Sequence, residues 1–265
     1  MSSSQVSTDG QDKGKDRLLP VILVGLGAGL LSGMFGVGGG ILIVPGLVIV
    51  ARMEQRMAHG TSLAAVLPIS ASSLVTYWVH DHVDWPVALF LAAGAVGGAF
   101  LGTKLLHVLP HRTLGFSFAG LLIITAVRLF MPLTSGTRAD LDLLMAATLV
   151  LIGLVTGVLA GLLGVGGGVV MVPAMMMFIQ MPAVMAKGTS VAVIIPTSIV
   201  GTWRNRKSSN ADLRSAAILG GGGILSAVAG GWVSTRMSDT VSNTLFAVLL
   251  VVVALKLVSD TRKSH

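Results

Sequence analysis

The sequence predicts an all-α polytopic membrane protein made of two inverted repeats of four hydrophobic segments each, with the first segment of each repeat broken or re-entrant at GVGGG. Three observations carry this prediction. Charge is scarce and confined to segment ends: of 265 residues, 53% are hydrophobic and 11% charged, where soluble domains carry about a quarter. The chain repeats itself at a fixed offset. The basic loops change sides between the two copies.

Asp, Glu, Lys and Arg are absent from 18–51, 57–80, 85–103, 113–127, 143–186, 188–203, 215–235 and 240–255. A membrane helix needs ~20 such residues. The 34 glycines would weaken soluble helices, but membrane helices use glycine to approach one another closely. A net charge of +7 belongs to loops and tails that set topology, and no basic stripe with interleaved aromatics marks a nucleic-acid partner. Without cysteine there is no disulfide, thiolate nucleophile or Cys-based metal site.

Residues 29–45 (GLLSGMFGVGGGILIVP) and 157–173 (GVLAGLLGVGGGVVMVP) are identical at ten of 17 positions at an offset of 128. The same offset pairs Gly60-Thr61-Ser62 with Gly188-Thr189-Ser190, Pro68 with Pro196, Ser70 with Ser198 and Asp84 with Asp212. The expected organisation is a disordered cytoplasmic tail (1–17), a first membrane repeat (18–131), a linker (132–142), a second repeat (143–260) and a cytoplasmic tail (261–265).

The tail is Ser-rich and polar, and apolarity then continues from Leu18 to Val50 without a cleavage site, which reads as an uncleaved first segment. The segments of the first half are 18–50, 58–79, 86–106 and 113–131; those of the second are 143–180, 186–203, 214–233 and 240–258. In all three equivalent loops the excess of Lys and Arg reverses between halves. An inverted repeat needs an odd number of crossings per half, which follows if each first segment enters and leaves on one side. With both termini cytoplasmic, this arrangement places 14 of the 18 Lys and Arg inside; eight plain spans place 12. Arg52 and Arg206 are then cytoplasmic, with Asp81 and Lys187 outside.

Gly36, Gly38, Gly39 and Gly40, and their counterparts Gly164, Gly166, Gly167 and Gly168, interrupt apolar segments where lipid-exposed broken backbone is forbidden. Each break must be buried or line a cavity. Glycine permits positive φ, and the half-helix that follows presents free N–H groups and a positive dipole end, which attract an anion. Alanine at Gly39 or Gly167 is expected to weaken binding with little loss of stability. GVGGG lacks the βαβ context of a nucleotide fingerprint.

Pro68 and Pro196 kink the second segments and free the carbonyls of Ala64 and Ala192. Beside them Ser70 and Ser198 can donate to an oxyanion without bringing fixed charge into the bilayer. Thr61, Ser62, Thr189 and Ser190 open the second segments, as caps or as substrate contacts. Lys187, in the position equivalent to His59, is either a snorkelling lysine or a substrate-attracting one. No Asp or Glu lies inside an apolar segment, so no intramembrane carboxylate relay exists. The His80-Asp81-His82-Val83-Asp84 loop reads as solvated, with no metal site.

The duplicated glycine motif, the AHGTS and AKGTS starts, and HVDWPVALFLAAGAVGGAFLGTKL with its echo ADLRSAAILGGGGILSAVAGGW resemble the TauE/SafE family of sulfite exporters over about 20–260. The resemblance implies a bacterial inner-membrane secondary carrier, without ATPase domain or cofactor, for a sulfur-containing anion such as sulfite or an organosulfonate. It places the substrate at the two glycine breaks and the GTS elements. Its partners are then the anion and the bilayer. A passive anion channel is the first rival; an intramembrane enzyme lacks a nucleophile and base inside the segments.

Overall fold

The computed structural model describes residues 9–105, 116, 119–120, 122–127 and 142–263, which form helices and no strand. In chain order these are α1 (Asp9–Phe35), α2 (Gly40–Val50), α3 (Gln55–Val79), α4 (Trp85–Leu105), α5 (Leu143–Leu163), α6 (Gly168–Phe178), α7 (Ala183–Lys207), α8 (Leu213–Arg236) and α9 (Asp239–Lys263). Residues 122–127, in the fourth segment of the first half, are also helical; the rest of that segment is largely outside the described residues.

The offset of 128 is written into the backbone. It superposes the bounds of α2 on α6 and of α3 on α7, and the start of α4 on that of α8. It also pairs the unusual torsions. Arg52 (φ 50) matches Gln180 (φ 55), and Asp81 (φ 55) matches Ser209 (φ 55). The last two close α3 and α7 with the same left-handed turn, in which His82 N–H donates to Tyr77 O and Asn210 N–H to Asn205 O, both at 2.9 Å.

The terminal helices reach into the polar tails. Helix α1 begins at Asp9, inside the 1–17 stretch expected to be disordered, and α9 runs to Lys263, inside the 261–265 tail. Extending a formed helix needs no new nucleus, so polar residues continue it past its last apolar turn. The 132–142 linker lies outside the described residues except Asp142, which caps α5 by accepting from Met145 N–H at 2.7 Å.

Glycine decides which helices touch. A methyl group on Gly94, Gly98 or Gly102 of α4 would strike the carbonyls of Val150, Leu154 and Val158 on α5. One on Gly153, Gly157 or Gly161 of α5 would strike those of Leu91, Ala95 and Ala99. Residue numbers rise together, so the two helices run parallel at backbone contact, each lending a face of glycines spaced by four. Helix α1 packs on α8 in the same way, with Gly25 on Leu219, Gly29 on Gly223 and Gly33 on Ala227. Each half thus docks its first helix on the third segment of the other.

The equivalent helices α3 and α7 run antiparallel. Gly60, early in α3, packs on Asn205 and Asn210; Gly188, early in α7, packs on Tyr77 and His82; Leu63 meets Gly201 between them. Helices α3, α4, α5, α7 and α8 are long and apolar enough to cross a membrane. Helices α2 and α6 have 11 residues each, about 16 Å of rise, roughly half the ~30 Å hydrocarbon core. All four tryptophans, Trp78, Trp85, Trp203 and Trp232, are exposed near ends of span-length helices, as interfacial aromatics are. Arg236 lies over Trp232 at 3.5 Å and Lys207 over Trp203 at 4.0 Å.

Two opposed glycine turns

At each GVGGG the chain reverses. Gly36, Gly38 and Gly39 have φ of 68, 77 and 75°, and Gly164, Gly166 and Gly167 have φ of 65, 83 and 80°, values open to glycine at little cost. After the turn α2 returns along α1: a methyl on Gly39 would lie 2.6 Å from the Ala28 carbonyl, and Gly46 faces Val24. The break is therefore a hairpin tip and not a kink within one rod.

The two tips meet. A methyl on Gly40 would lie 2.6 Å from Gly164 O, and one on Gly168 2.5 Å from Gly36 O. A methyl on Gly38 would lie 3.1 and 3.2 Å from Val66 and Ile194, and one on Gly166 3.6 and 3.1 Å from the same two side chains. Val66 and Ile194 are themselves equivalent at the offset of 128, so both tips meet the same matched pair of side chains. Their position gives no sign in sequence, because an apolar residue in an apolar helix looks like any other.

Each tip is fastened to the other half by the GTS elements. Ser62 Oγ donates to Gly164 O at 2.7 Å, and Ser190 Oγ to Gly36 O at 2.8 Å. Thr61 Oγ1 accepts from Asp212 N–H, and Thr189 Oγ1 from Asp84 N–H, both at 2.9 Å. These hydroxyls are not helix caps, since α3 and α7 start at Gln55 and Ala183, one turn or more earlier. Sequence placed the helix start at the end of the charge-bearing loop, whereas the hydrogen-bond ladder reaches back through it.

His59 and Lys187 touch the tips unequally. His59 Nδ1 bonds Leu163 O at 2.6 Å. Lys187 lies with its main chain against Gly36, but its Nζ donates to Ser234 Oγ at 3.2 Å and to Ser242 Oγ. With 2% exposure, Lys187 is neither a snorkelling residue nor available at an outer surface. Tyr77, also unremarked in the sequence, donates its hydroxyl to Gly33 O at 2.5 Å beneath the first tip.

Ser70 and Ser198 differ from the other hydroxyls. Both are fully buried, and neither Oγ has a hydrogen-bond partner. Residues four apart share a helix face. Along α3 the stripe runs Ser62, Val66, Ser70, from the far tip past the glycine junction; along α7 it runs Ser190, Ile194, Ser198. The pair therefore faces the junction from two sides, one turn beyond the residues that touch it. Pro68 and Pro196 lie inside these helices, and the Pro68 ring packs on Gly220.

The main-chain N–H groups of Gly38, Gly39, Gly40, Gly166, Gly167 and Gly168 make no hydrogen bond among the described residues. Helices α2 and α6 begin here, capped by Gly39 and Gly167 without any side-chain acceptor, so their first N–H groups are open, while α1 and α5 end at the same turns with their carbonyl ends. Open donors, two idle hydroxyls and an apolar frame can hold an anion. The glycines are also tightly packed, since Gly39 abuts α1 backbone. The expectation that alanine there would spare stability is therefore corrected.

The 80–84 loop sits apart. Asp84 caps α4 by accepting from Val87 N–H at 3.2 Å. Burial, the dominant cause, and nearby His80 push the His82 pKa down against the opposing pull of Asp81. Among the described residues no three His, Asp or Glu side chains converge as a metal site would need.

The family model described as Sulfite exporter TauE/SafE matches residues 2–129 and 149–265. The chain is 24% identical to "Probable membrane transporter protein YunE" of Bacillus subtilis, over 91% of this chain and 97% of the relative. It is 29% identical to "Probable membrane transporter protein YjnA" of the same organism, over 90% and 98%. It is 28% identical to a "Probable membrane transporter protein" of Xylella fastidiosa, over 88% and 90%. No solved structure matches the chain significantly.

Proposed function

The chain belongs to the sulfite exporter TauE/SafE family, and from that premise we propose that it is a secondary transporter moving a small sulfur-containing anion, sulfite or an organosulfonate, across the inner membrane by alternating access. The observation that carries this proposal is the glycine junction: unpaired N–H groups of two converging helix starts, flanked by the partnerless hydroxyls of Ser70 and Ser198. Burying a hydroxyl without a partner costs about 1–3 kcal/mol. Such a cost at two equivalent positions is what a ligand site would retain.

An inverted repeat accounts for the antiparallel run of α3 and α7. If those helices cross the membrane, the halves lie upside down to one another, and each α1–α2 or α5–α6 hairpin is re-entrant. Phe100, near the end of α4, sits under Arg204 at 3.9 Å and Lys104 at 5.2 Å. That end also carries Arg206 and Lys207, and α3 begins there with Arg56. Cytoplasmic ends collect such residues, so this face is inside and both termini are cytoplasmic. The Ser62–Gly164 and Ser190–Gly36 bonds then act as two latches, one toward each face, and alternating access opens one while the other holds.

Counterflow in proteoliposomes tests the proposal. A carrier gives saturable uptake of labelled sulfite or sulfonate that is accelerated by unlabelled anion on the far side; a passive anion channel conducts without such acceleration. Ser70→Ala and Ser198→Ala should abolish or strongly weaken uptake while leaving the folded protein at least as stable as before, because each removes a buried hydroxyl that bonds nothing in the protein. Uptake at native affinity in both variants would remove these serines from the substrate path.

A further inference from the structure

We infer that the anion travels between the junction and the face where α7 ends through the seam between α7 and the α5–α6 hairpin, with Thr202 and Asn205 as its next contacts beyond Ser198. This rests on the transporter reading above and adds to it the route and the residues that line it.

The inference comes from positions where the two halves are not alike. The first hairpin is bonded to α3 twice: the Tyr77 hydroxyl donates to Gly33 O at 2.5 Å, and the hydroxyls of Ser32 and Ser73 meet at 3.3 Å. At the offset of 128, Tyr77 and Gly33 become Asn205 and Gly161, while Ser32 and Ser73 become Ala160 and Gly201. Ala160 and Gly201 have no hydroxyl, and Asn205 gives its side-chain N–H to Gly201 O of its own helix at 2.9 Å. Residues 198–205 of α7 therefore make no hydrogen bond to α5 or α6. The bonds that hold the second tip come from α3, from Ser62 and His59. One seam is tied, and its equivalent is not.

The untied seam is also where partnerless polar atoms gather. Ser198 Oγ, Thr202 Oγ1 and Asn205 Oδ1 are all buried without a hydrogen-bond partner, at i, i+4 and i+7 on one side of α7. The run covers about 10 Å of helix rise away from the junction. On α3 the same stations hold Ser70, Leu74 and Tyr77, and of these only Ser70 lacks a partner.

Each group on α7 can serve an anion. The Thr202 hydroxyl donates. The Asn205 amide can turn its N–H groups to a passing ion, because Gly201 O also receives a main-chain N–H in the helix ladder. Asn205 packs on Gly60, whose neighbour His59 holds Leu163 O, which places the amide next to the second tip. One turn outward of Gly60, Arg56 has its Nε buried without an acceptor, and Arg206 and Lys207 close α7. A mouth of this sign draws anions. At the opposite end of the helix pair the buried cation, Lys187, is held by Ser234 and Ser242.

The chain has no cysteine, so Thr202→Cys and Leu74→Cys, equivalent and both half-buried, report the two seams directly. The probe is a methanethiosulfonate reagent bearing a sulfonate, applied to purified protein in nanodiscs, where both faces are open to it. Thr202→Cys is expected to react about tenfold faster or more, because two hydrogen bonds hold the seam at Leu74, and methanesulfonate should slow that reaction. Adding Tyr77→Phe, which keeps the ring and removes the tie, should raise the Leu74→Cys rate and leave that of Thr202→Cys unchanged. Equal rates, faster reaction at Leu74→Cys, no reaction at either position, or a Leu74→Cys rate indifferent to Tyr77→Phe each overturn the route. Asn205→Asp gives a second reading: a carboxylate in the route should cut methanesulfonate counterflow about tenfold or more, and counterflow at the native rate overturns it. Failure of the native protein to exchange any anion overturns the carrier reading, while the labelling ratio, which needs no transport, still decides the seam.

Discussion

Alanine at Gly39 should cost this protein more stability than alanine at Gly167, although the two glycines are equivalent in the repeat. Both hold left-handed backbone, with φ of 75 and 80°, and a residue with a Cβ pays ~1–2 kcal/mol for that conformation. The surroundings then separate them. At position 39 the new methyl lies 2.6 Å from Ala28 O and 3.1 Å from Ala28 Cβ, so the turn must move off the backbone of α1. At position 167 the nearest atoms are Thr156 O at 3.0 Å and Ala160 Cβ at 3.3 Å, which a shift of a few tenths of an ångström relieves. Overpacking of the first kind costs ~1–3 kcal/mol. Gly39→Ala should therefore lose about 2–5 kcal/mol in all and Gly167→Ala about 1–2. Reversible unfolding in mixed micelles, with both variants at one lipid composition, measures the difference. Equal losses, or a larger loss at Gly167, would refute the packing on which the estimate rests.

The latches and the loop give further expectations. Ser62→Ala and Ser190→Ala each leave a tip carbonyl, Gly164 O or Gly36 O, buried without its donor, and each should cost about 1–3 kcal/mol; urea or detergent titration showing no loss in either would show that the tips are held by packing alone. For His82 the sign is fixed by the downward shift from its ordinary 6.5. The unfolded chain takes up the proton more readily than the folded one, so the contribution is fully present above pH 6.5 and is lost as pH falls through the lower folded value. His82→Asn should flatten the decline of melting temperature between pH 7 and pH 5, and an unchanged decline would assign it to other groups.

The helices and their doubling were legible because apolar runs and the offset of 128 are properties of sequence order alone. The glycine breaks were legible for the same reason: five positions in one apolar run, four of them glycine, recur intact. What the serines and threonines bond was not. Ser62, Ser70, Ser190 and Ser198 look alike in sequence, yet the first and third are spent on tip carbonyls of the opposite half and the other two bond nothing. Only the antiparallel crossing of α3 and α7 decides this, and pairings more than a hundred residues apart leave no local periodicity. The surroundings of Lys187 were hidden on similar grounds. A lysine near a segment end reads as interfacial, but the hydroxyls of Ser234 and Ser242, on α8 and α9, bring it indoors.

The central claim is that an anion sits between the two glycine turns. Selenite replaces sulfite with an anomalous scatterer of the same shape, and a crystal of the transporter grown with it locates the ion directly. The account predicts one anomalous peak at the junction, within hydrogen-bonding reach of Ser70 and Ser198 Oγ and of the N–H groups of Gly38 to Gly40 or Gly166 to Gly168. A peak beside Lys187 with the junction empty would contradict it.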